Sequence, residues 1–248
     1  MTAILSLQSV SKRFGGLSVI EDVSFDVRRG SRTALIGPNG AGKTTVFNLI
    51  SGVYDIDAGS IKLEDAELST VPARQRIGRG LARSFQNIRL MPHLSTVENV
   101  MLGEHSRRSP LALASGRRAA ARAELALADA GLETYPGQVV ANLPYGIQKR
   151  IEVVRALVAE PKLLLLDEPA AGLNTAETAE LRALLNRVSA KGVTMLVVEH
   201  DMHFVRELCD HVVVLNFGRK IFEGTPAEVH RDPSVREAYL GSQDEAVS

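Results

Sequence analysis

One octapeptide restricts what this chain can fold into more than any other feature. Gly37-Pro38-Asn39-Gly40-Ala41-Gly42-Lys43-Thr44 follows an apolar run at residues 33–36 and leads into Lys43–Ser51, which reads as a helix. It fits the pattern G-x-x-x-x-G-K-[ST] in its required strand-to-helix setting. Glycines let the backbone curl so that successive N–H groups point inward at phosphate oxygens. The start of the following helix adds the positive end of its dipole. Lys43 supplies a mobile positive charge for terminal phosphates, Thr44 supplies a hydroxyl for Mg2+, and Thr45 closes the loop. A nucleotide is the ligand this combination implies.

The second constraint is Lys162-Leu163-Leu164-Leu165-Leu166-Asp167-Glu168-Pro169. Four successive leucines read as a strand buried on both faces, with two acids at its carboxyl end, where open α/β sheets bind ligands. Asp167 is placed to hold Mg2+, directly or through water. Glu168 is one residue on, so it points another way and is suited to orienting an attacking water. Seen alone, the pair also fits a solvated turn at the end of a core strand. Beside a phosphate loop, metal-assisted hydrolysis is the better account.

The remaining pattern supports a parallel sheet. Residues 4–12 and 23–27 alternate as strands, and 60–63 and 81–85 read as shorter ones. Between residues 88 and 157 Ala, Leu, Arg and Glu dominate, which suits a helical subdomain broken at Ser109-Pro110 and Pro136-Gly137. Beyond it, helices at Thr175–Ala190 and 202–209 alternate with strands at 193–198 and 212–216, and residues 220–222 extend the last strand as a hairpin. The chain from Ser242 onward reads as a loose tail. This predicts one α/β domain over 1–248, with a nucleotide-binding core at 1–87 and 158–241 and a helical insertion at about 88–157.

Composition removes several function classes. Lys+Arg and Asp+Glu are both 29, so a globally basic nucleic-acid footprint is absent and no nucleic-acid partner is expected. The single cysteine, Cys209, rules out an internal disulfide. No apolar run reaches membrane-helix length, and the alternating first residues do not resemble a signal peptide. The chain is expected in the cytoplasm, and a membrane role would need another protein's membrane domain.

Together these residues resemble the ATP-binding cassette (ABC) ATPases over nearly the whole chain. The resemblance implies a P-loop NTPase (RecA-like) core with an N-terminal antiparallel β subdomain and an inserted helical subdomain. It implies that Gln86, in Ser84-Phe85-Gln86, reaches the metal and the water, and that His200, in Val198-Glu199-His200-Asp201, contacts the γ-phosphate. It further implies that Phe14 stacks on adenine with Val19 beside it, and that Ala171-Gly172-Leu173-Asn174 links two dimer halves. Asn142-Leu143-Pro144-Tyr145-Gly146-Ile147-Gln148-Lys149-Arg150 stands where the family carries its signature, with Gly146 facing the partner's nucleotide. The cofactors implied are ATP and Mg2+. The partners implied are a second ABC ATPase, either a copy or a paralogue, two transmembrane permease subunits and, indirectly, a substrate-binding protein. The chain would then sit peripherally on the inner face of the cell membrane.

Arg83 to Pro92, Asp167 to Asn174, Glu199-His200-Asp201-Met202 and Glu223-Gly224-Thr225-Pro226 are similar to the ATPase subunits of branched-chain and hydrophobic amino-acid importers. Urea importers and lipid-type transporters look alike at this level, so the cargo stays open. The signature departs from the usual Leu-Ser-Gly-Gly-Gln at Pro144, Tyr145 and Ile147. Pro144 has neither a hydroxyl nor an N–H, so a phosphate contact from that position is lost. Leu90, Met91 and Leu94 either dock a membrane subunit or pack inside the helical subdomain. Three other readings compete: a soluble ABC ATPase of repair or translation, a kinase or GTPase on the same loop, and a non-hydrolysing nucleotide binder. The chain has no coiled-coil insertion, no second cassette and no Asn-Lys-x-Asp motif, and it has Glu168, which together favour the transporter ATPase.

Overall fold

The computed structural model describes residues 2–84, 87–105 and 116–244, and its elements assemble around two sheets. The first is antiparallel, in the order β2-β1-β4-β5, from β1 (Ala3–Phe14), β2 (Leu17–Arg28), β4 (Ala58–Leu63) and β5 (Ala66–Glu67). The second runs β10-β9-β3-β8-β7-β6. Its strands are β3 (Arg32–Ile36), β6 (Leu81–Arg83), β7 (Leu163–Asp167), β8 (Thr194–Val198), β9 (His211–Asn216) and β10 (Arg219–Gly224). β9, β3, β8, β7 and β6 pair in parallel, while β10 folds back antiparallel on β9 as the expected hairpin.

Alternation along the central strands divides the interior into two cores. Ala34, Ile36, Leu164, Leu166, Met195 and Val197 face one cluster, and Leu35, Leu163, Leu165, Leu196 and Val198 face the other. The first core is closed by α3 (Thr96–His105), α4 (Gly116–Asp129), α5 (Tyr145–Leu157), α6 (Thr175–Ala190) and α7 (Met202–Leu208). The second is closed by α1 (Lys43–Ser51) and the antiparallel sheet. Strands covered on both sides need apolar residues at every position, which is why the four leucines before Asp167 do not alternate. Helices α3 to α5 lie between β6 and β7 in the chain.

The short α2 (Ala73–Arg76) holds α1 in place. Arg76 is buried, and its guanidinium donates to the carbonyls of Leu49, Ile50 and Val71 at 2.7, 2.7 and 2.8 Å. Two of those are carbonyls in the last turn of α1, where intrahelical partners run out, although Leu49 also accepts from the Gly52 N–H at 3.2 Å. After β10 come α8 (Pro226–Val229) and α9 (Pro233–Asp244), so the helix continues past Ser242, where the sequence suggested a loose tail. Among the described residues no helix is long and apolar enough to cross a membrane.

Candidate functional site

β3 ends at Ile36 and delivers the chain to Gly37, whose φ of 150° and position admit no side chain. A Cβ there would lie 2.1 Å from the Leu215 carbonyl oxygen of β9. Gly42, with φ 100°, is the residue before α1, and a Cβ on it would meet Ile20 Cδ1 at 2.6 Å. Among the described residues the N–H groups of Gly40, Gly42, Lys43, Thr44 and Thr45 donate to no backbone carbonyl. The first turn of α1 holds no acid, and no side chain caps it. The result is an uncapped helix start with an arc of free donors, a ready site for anionic oxygens. Asn39, Gly40 and Thr44 are exposed, Pro38 and Thr45 are half-buried, and Gly37 and Ala41 are buried.

Lys43 is buried, and its ammonium donates to the carbonyls of Gly37 at 2.6 Å and Pro38 at 2.9 Å. Burial holds it below the usual lysine range, and the nearby Glu168 carboxylate offsets part of that effect. The phosphate loop and the second acid therefore share one electrostatic site.

Asp167 closes β7 and is 5% exposed. Its carboxylate pairs with Arg83 at 2.7 Å. Glu168 leaves the sheet with φ 44°, a left-handed conformation uncommon outside glycine. Its N–H donates to the Val198 carbonyl at 2.9 Å, so its backbone stays tied to β8. Strain of this kind, of order 1–3 kcal/mol, persists where the surroundings over-determine it, often at functional sites. His200 follows the next strand end, with its side chain 65% exposed. The preceding Glu199 is 1% exposed and accepts from the N–H groups of Ala170 at 2.9 Å and His200 at 3.1 Å. Glu199 thus ties the segment after Glu168 to the His200 loop. Burial pushes its carboxyl above the usual range.

Phe14 ends β1, is 40% exposed and meets the Tyr54 ring edge-on at 5.0 Å, with Lys12 Nζ 5.4 Å from its centroid. The carbonyl of Val19 on β2 lies 3.2 Å from the space a Cβ on Gly42 would take, so the antiparallel sheet borders the loop. Gly146 sits in the first turn of α5, and its closest neighbours are Glu177 side-chain atoms, not the loop. Gln86 lies outside the described residues. Of the apolar trio, Leu90 is a core residue at 8% exposure, Leu94 is half-buried, and only Met91, at 51%, faces outward. Leu90 therefore leaves the proposed docking patch, because it packs into the core shared with the helices.

Thr44 and Asp167 offer hard oxygen donors, and among the described residues no cluster of three or more metal-binding side chains occurs. That donor set fits Mg2+, which keeps waters and phosphate oxygens as ligands and needs no all-protein cage. Sequence reasoning gave no role to Arg83, Lys149 or Glu199. Lys149, on α5, is buried and interacts electrostatically with Glu152, Glu199, Glu168 and Asp167. A charged residue closing an apolar strand was the available signal for Arg83, whereas Lys149 and Glu199 stand among other polar residues and gave none.

A profile described as "ABC transporter" matches residues 20–171, and one described as "Branched-chain amino acid ATP-binding cassette transporter" matches residues 219–245. The chain is 38% identical to the high-affinity branched-chain amino acid transport ATP-binding protein BraF of Pseudomonas aeruginosa, over 96% of this chain and 98% of BraF. LivG of Escherichia coli K12, which bears the same description, is also 38% identical over 96% of this chain and 98% of LivG. The lipopolysaccharide export ATP-binding protein LptB of that strain is 31% identical over the same shares. Among solved structures, an ATP-binding cassette of an ABC transporter in its ADP conformation superposes with a TM-score of 0.89 at 29% identity. That match covers 97% of this chain and 100% of the solved one.

Proposed function

Since the chain belongs to the ABC transporter family and is an ATPase of it, we propose that it powers import of branched-chain or other amino acids as one half of a head-to-tail ATPase pair. The observation that carries the reading is the arc of N–H groups of Gly40, Gly42, Lys43, Thr44 and Thr45 that donate to no backbone carbonyl, with Glu168 close enough to act on Lys43. The C-terminal match at residues 219–245 favours amino acids over the lipopolysaccharide named for LptB.

In this proposal adenine stacks on Phe14, with Val19 beside it. Residues 37–45 take the phosphates of ATP, and Lys43 exchanges its two carbonyl partners for phosphate oxygens. Thr44, Asp167 and Gln86 hold Mg2+, which when bound neutralises charge on the phosphates. Glu168 orients or deprotonates the attacking water, and the left-handed turn at Glu168 sets its direction. His200, exposed at the strand end, hydrogen-bonds the γ-phosphate and holds the active geometry. ATP and water give ADP and phosphate, through positioning and electrostatics. The start of α5, with Gly146, completes the partner's site. A nucleotide that touches both halves only in the closed pair has the differential affinity needed to drive closure.

The helical part, about 88–157, moves with the signature, while 1–87 and 158–241 form the core. Two permease subunits dock near Met91, beside a cleft of about 270 Å³ lined by Ile77, Met91, Leu102 and Arg155. The chain then lies on the cytoplasmic face of the membrane, with a substrate-binding protein acting on the far side.

The test is a Glu168→Gln variant followed by light scattering with and without Mg-ATP. Conversion of monomer to dimer on adding nucleotide supports the paired site. A variant that binds ATP and remains monomeric would overturn self-pairing and point to a paralogous partner.

A further inference from the structure

Arg83 ends β6, and nothing in the reaction above uses it. Its side chain is 9% exposed, and it makes a three-way bridge. Nη2 donates to Asp167 Oδ2 at 2.7 Å, while Nη1 donates to Asn48 Oδ1 at 2.8 Å and to Ser51 Oγ at 2.9 Å. The guanidinium carbon lies 5.7 Å from the centroid of the Phe47 ring. Phe47, Asn48 and Ser51 all belong to α1, the helix that begins with Lys43 and Thr44. One planar cation therefore spans three elements: the strand leading towards Gln86, the helix of the phosphate loop, and the carboxylate at the end of β7.

A guanidinium fixes direction as well as charge. Its donors lie in one plane, so acceptors on α1 and on Asp167 hold it from different sides. Asp167, held through one oxygen, keeps a single orientation relative to α1. Mere neutralisation of a buried acid would need only a positive charge, which a lysine also brings. On the reading that Asp167 serves Mg2+ of the bound nucleotide, we infer that Arg83 is a positioning residue for it. It sets the carboxylate against the helix that carries Thr44.

The experiment uses the full chain and a fluorescent ATP analogue, with affinity measured in EDTA and across a Mg2+ titration. Arg83→Met is expected to raise the Mg2+ concentration needed for half-maximal strengthening of binding by about 10- to 100-fold, the usual cost of losing a partner that orients a metal ligand. Affinity in EDTA stays at the wild-type value, because the phosphate loop is untouched. Arg83→Lys keeps the charge but not the fork, and is expected to resemble Arg83→Met. Should Arg83→Met fail to fold, Asn48→Ala removes a single acceptor of the bridge and should shift the Mg2+ midpoint less, in the same direction. An unchanged midpoint, full rescue by lysine, or an equal loss in EDTA would each overturn the inference. A wild-type chain that binds no nucleotide in either condition would instead overturn the functional reading, and this inference with it.

Discussion

Helices α1, after Gly42, and α5, after Pro144, both begin without a side-chain cap, and their surroundings differ. Around the start of α1 the N–H groups of Gly40 and Gly42 to Thr45 donate to no backbone carbonyl, and a buried lysine brings positive charge. At the start of α5 there is no such room. A Cβ on Gly146 would lie 2.6 Å from the Glu177 carboxyl group, and the Tyr145 ring lies 3.2 Å from the Cβ space of Gly172. Glu177 is itself committed to the capping box of α6, accepting from the Asn174 N–H at 3.0 Å. The first helix start is thus a self-contained anion site. The second is a packed corner whose backbone donors depend on the start of a neighbouring helix for their position. A dimer built head-to-tail would combine one of each.

Breaking the α1 side should have the largest effect. Glu168→Gln keeps the loop and removes the water-orienting carboxylate, and kcat should fall by about 10²- to 10⁴-fold with nucleotide affinity retained, as read by phosphate release. Gly146→Ala attacks the α5 side. It forces Glu177 to shift, so turnover should drop by up to about 10²-fold through misplacement, while the monomer binds nucleotide normally in fluorescence titration. Normal turnover in Gly146→Ala would remove the packed-corner account. Pro144→Ser sharpens the comparison in the other direction by restoring an N–H and a hydroxyl at the helix start. Turnover should rise about two- to tenfold, the worth of one net hydrogen bond, and a large loss would contradict it. Asn174→Ala should have the smallest effect. It removes the cap that steadies Glu177, costing about 1 kcal/mol of stability in urea unfolding.

Much of the fold was legible in the chain because its local signals agree with its tertiary structure. α1 and α6 run where glycine, apolar period and an Asn cap place them, and β3, β7, β8 and β9 differ from expectation by single residues at their ends. The phosphate loop was legible because strand, glycines and helix are contiguous, so one short stretch carries the whole anion site. The surroundings of Asp167 were not. Arg83 precedes it by 84 residues, and its other partners are on α1, so only the parallel pairing of β6 with β7 brings them together. Whether Leu90, Met91 and Leu94 dock a partner or pack inside was open in the sequence, and the fold decides it residue by residue: Leu90 is buried in the core shared with the helices and Met91 is exposed.

The sequence by itself determined the chemistry that depends on neighbours along the chain: a curled loop ending in Lys43 and Thr44, and a buried strand ending in Asp167 and Glu168. Tertiary structure decided what those groups feel. Sheet order put Arg83 on Asp167, the end of β7 gave Glu168 a left-handed backbone, and the contact of α6 with α5 placed Glu177 against Gly146. The reason is one of range. Backbone curvature and helix starts follow from a few consecutive residues, whereas the field and the packing at a side chain are set by whichever distant segments the fold brings within a few ångströms.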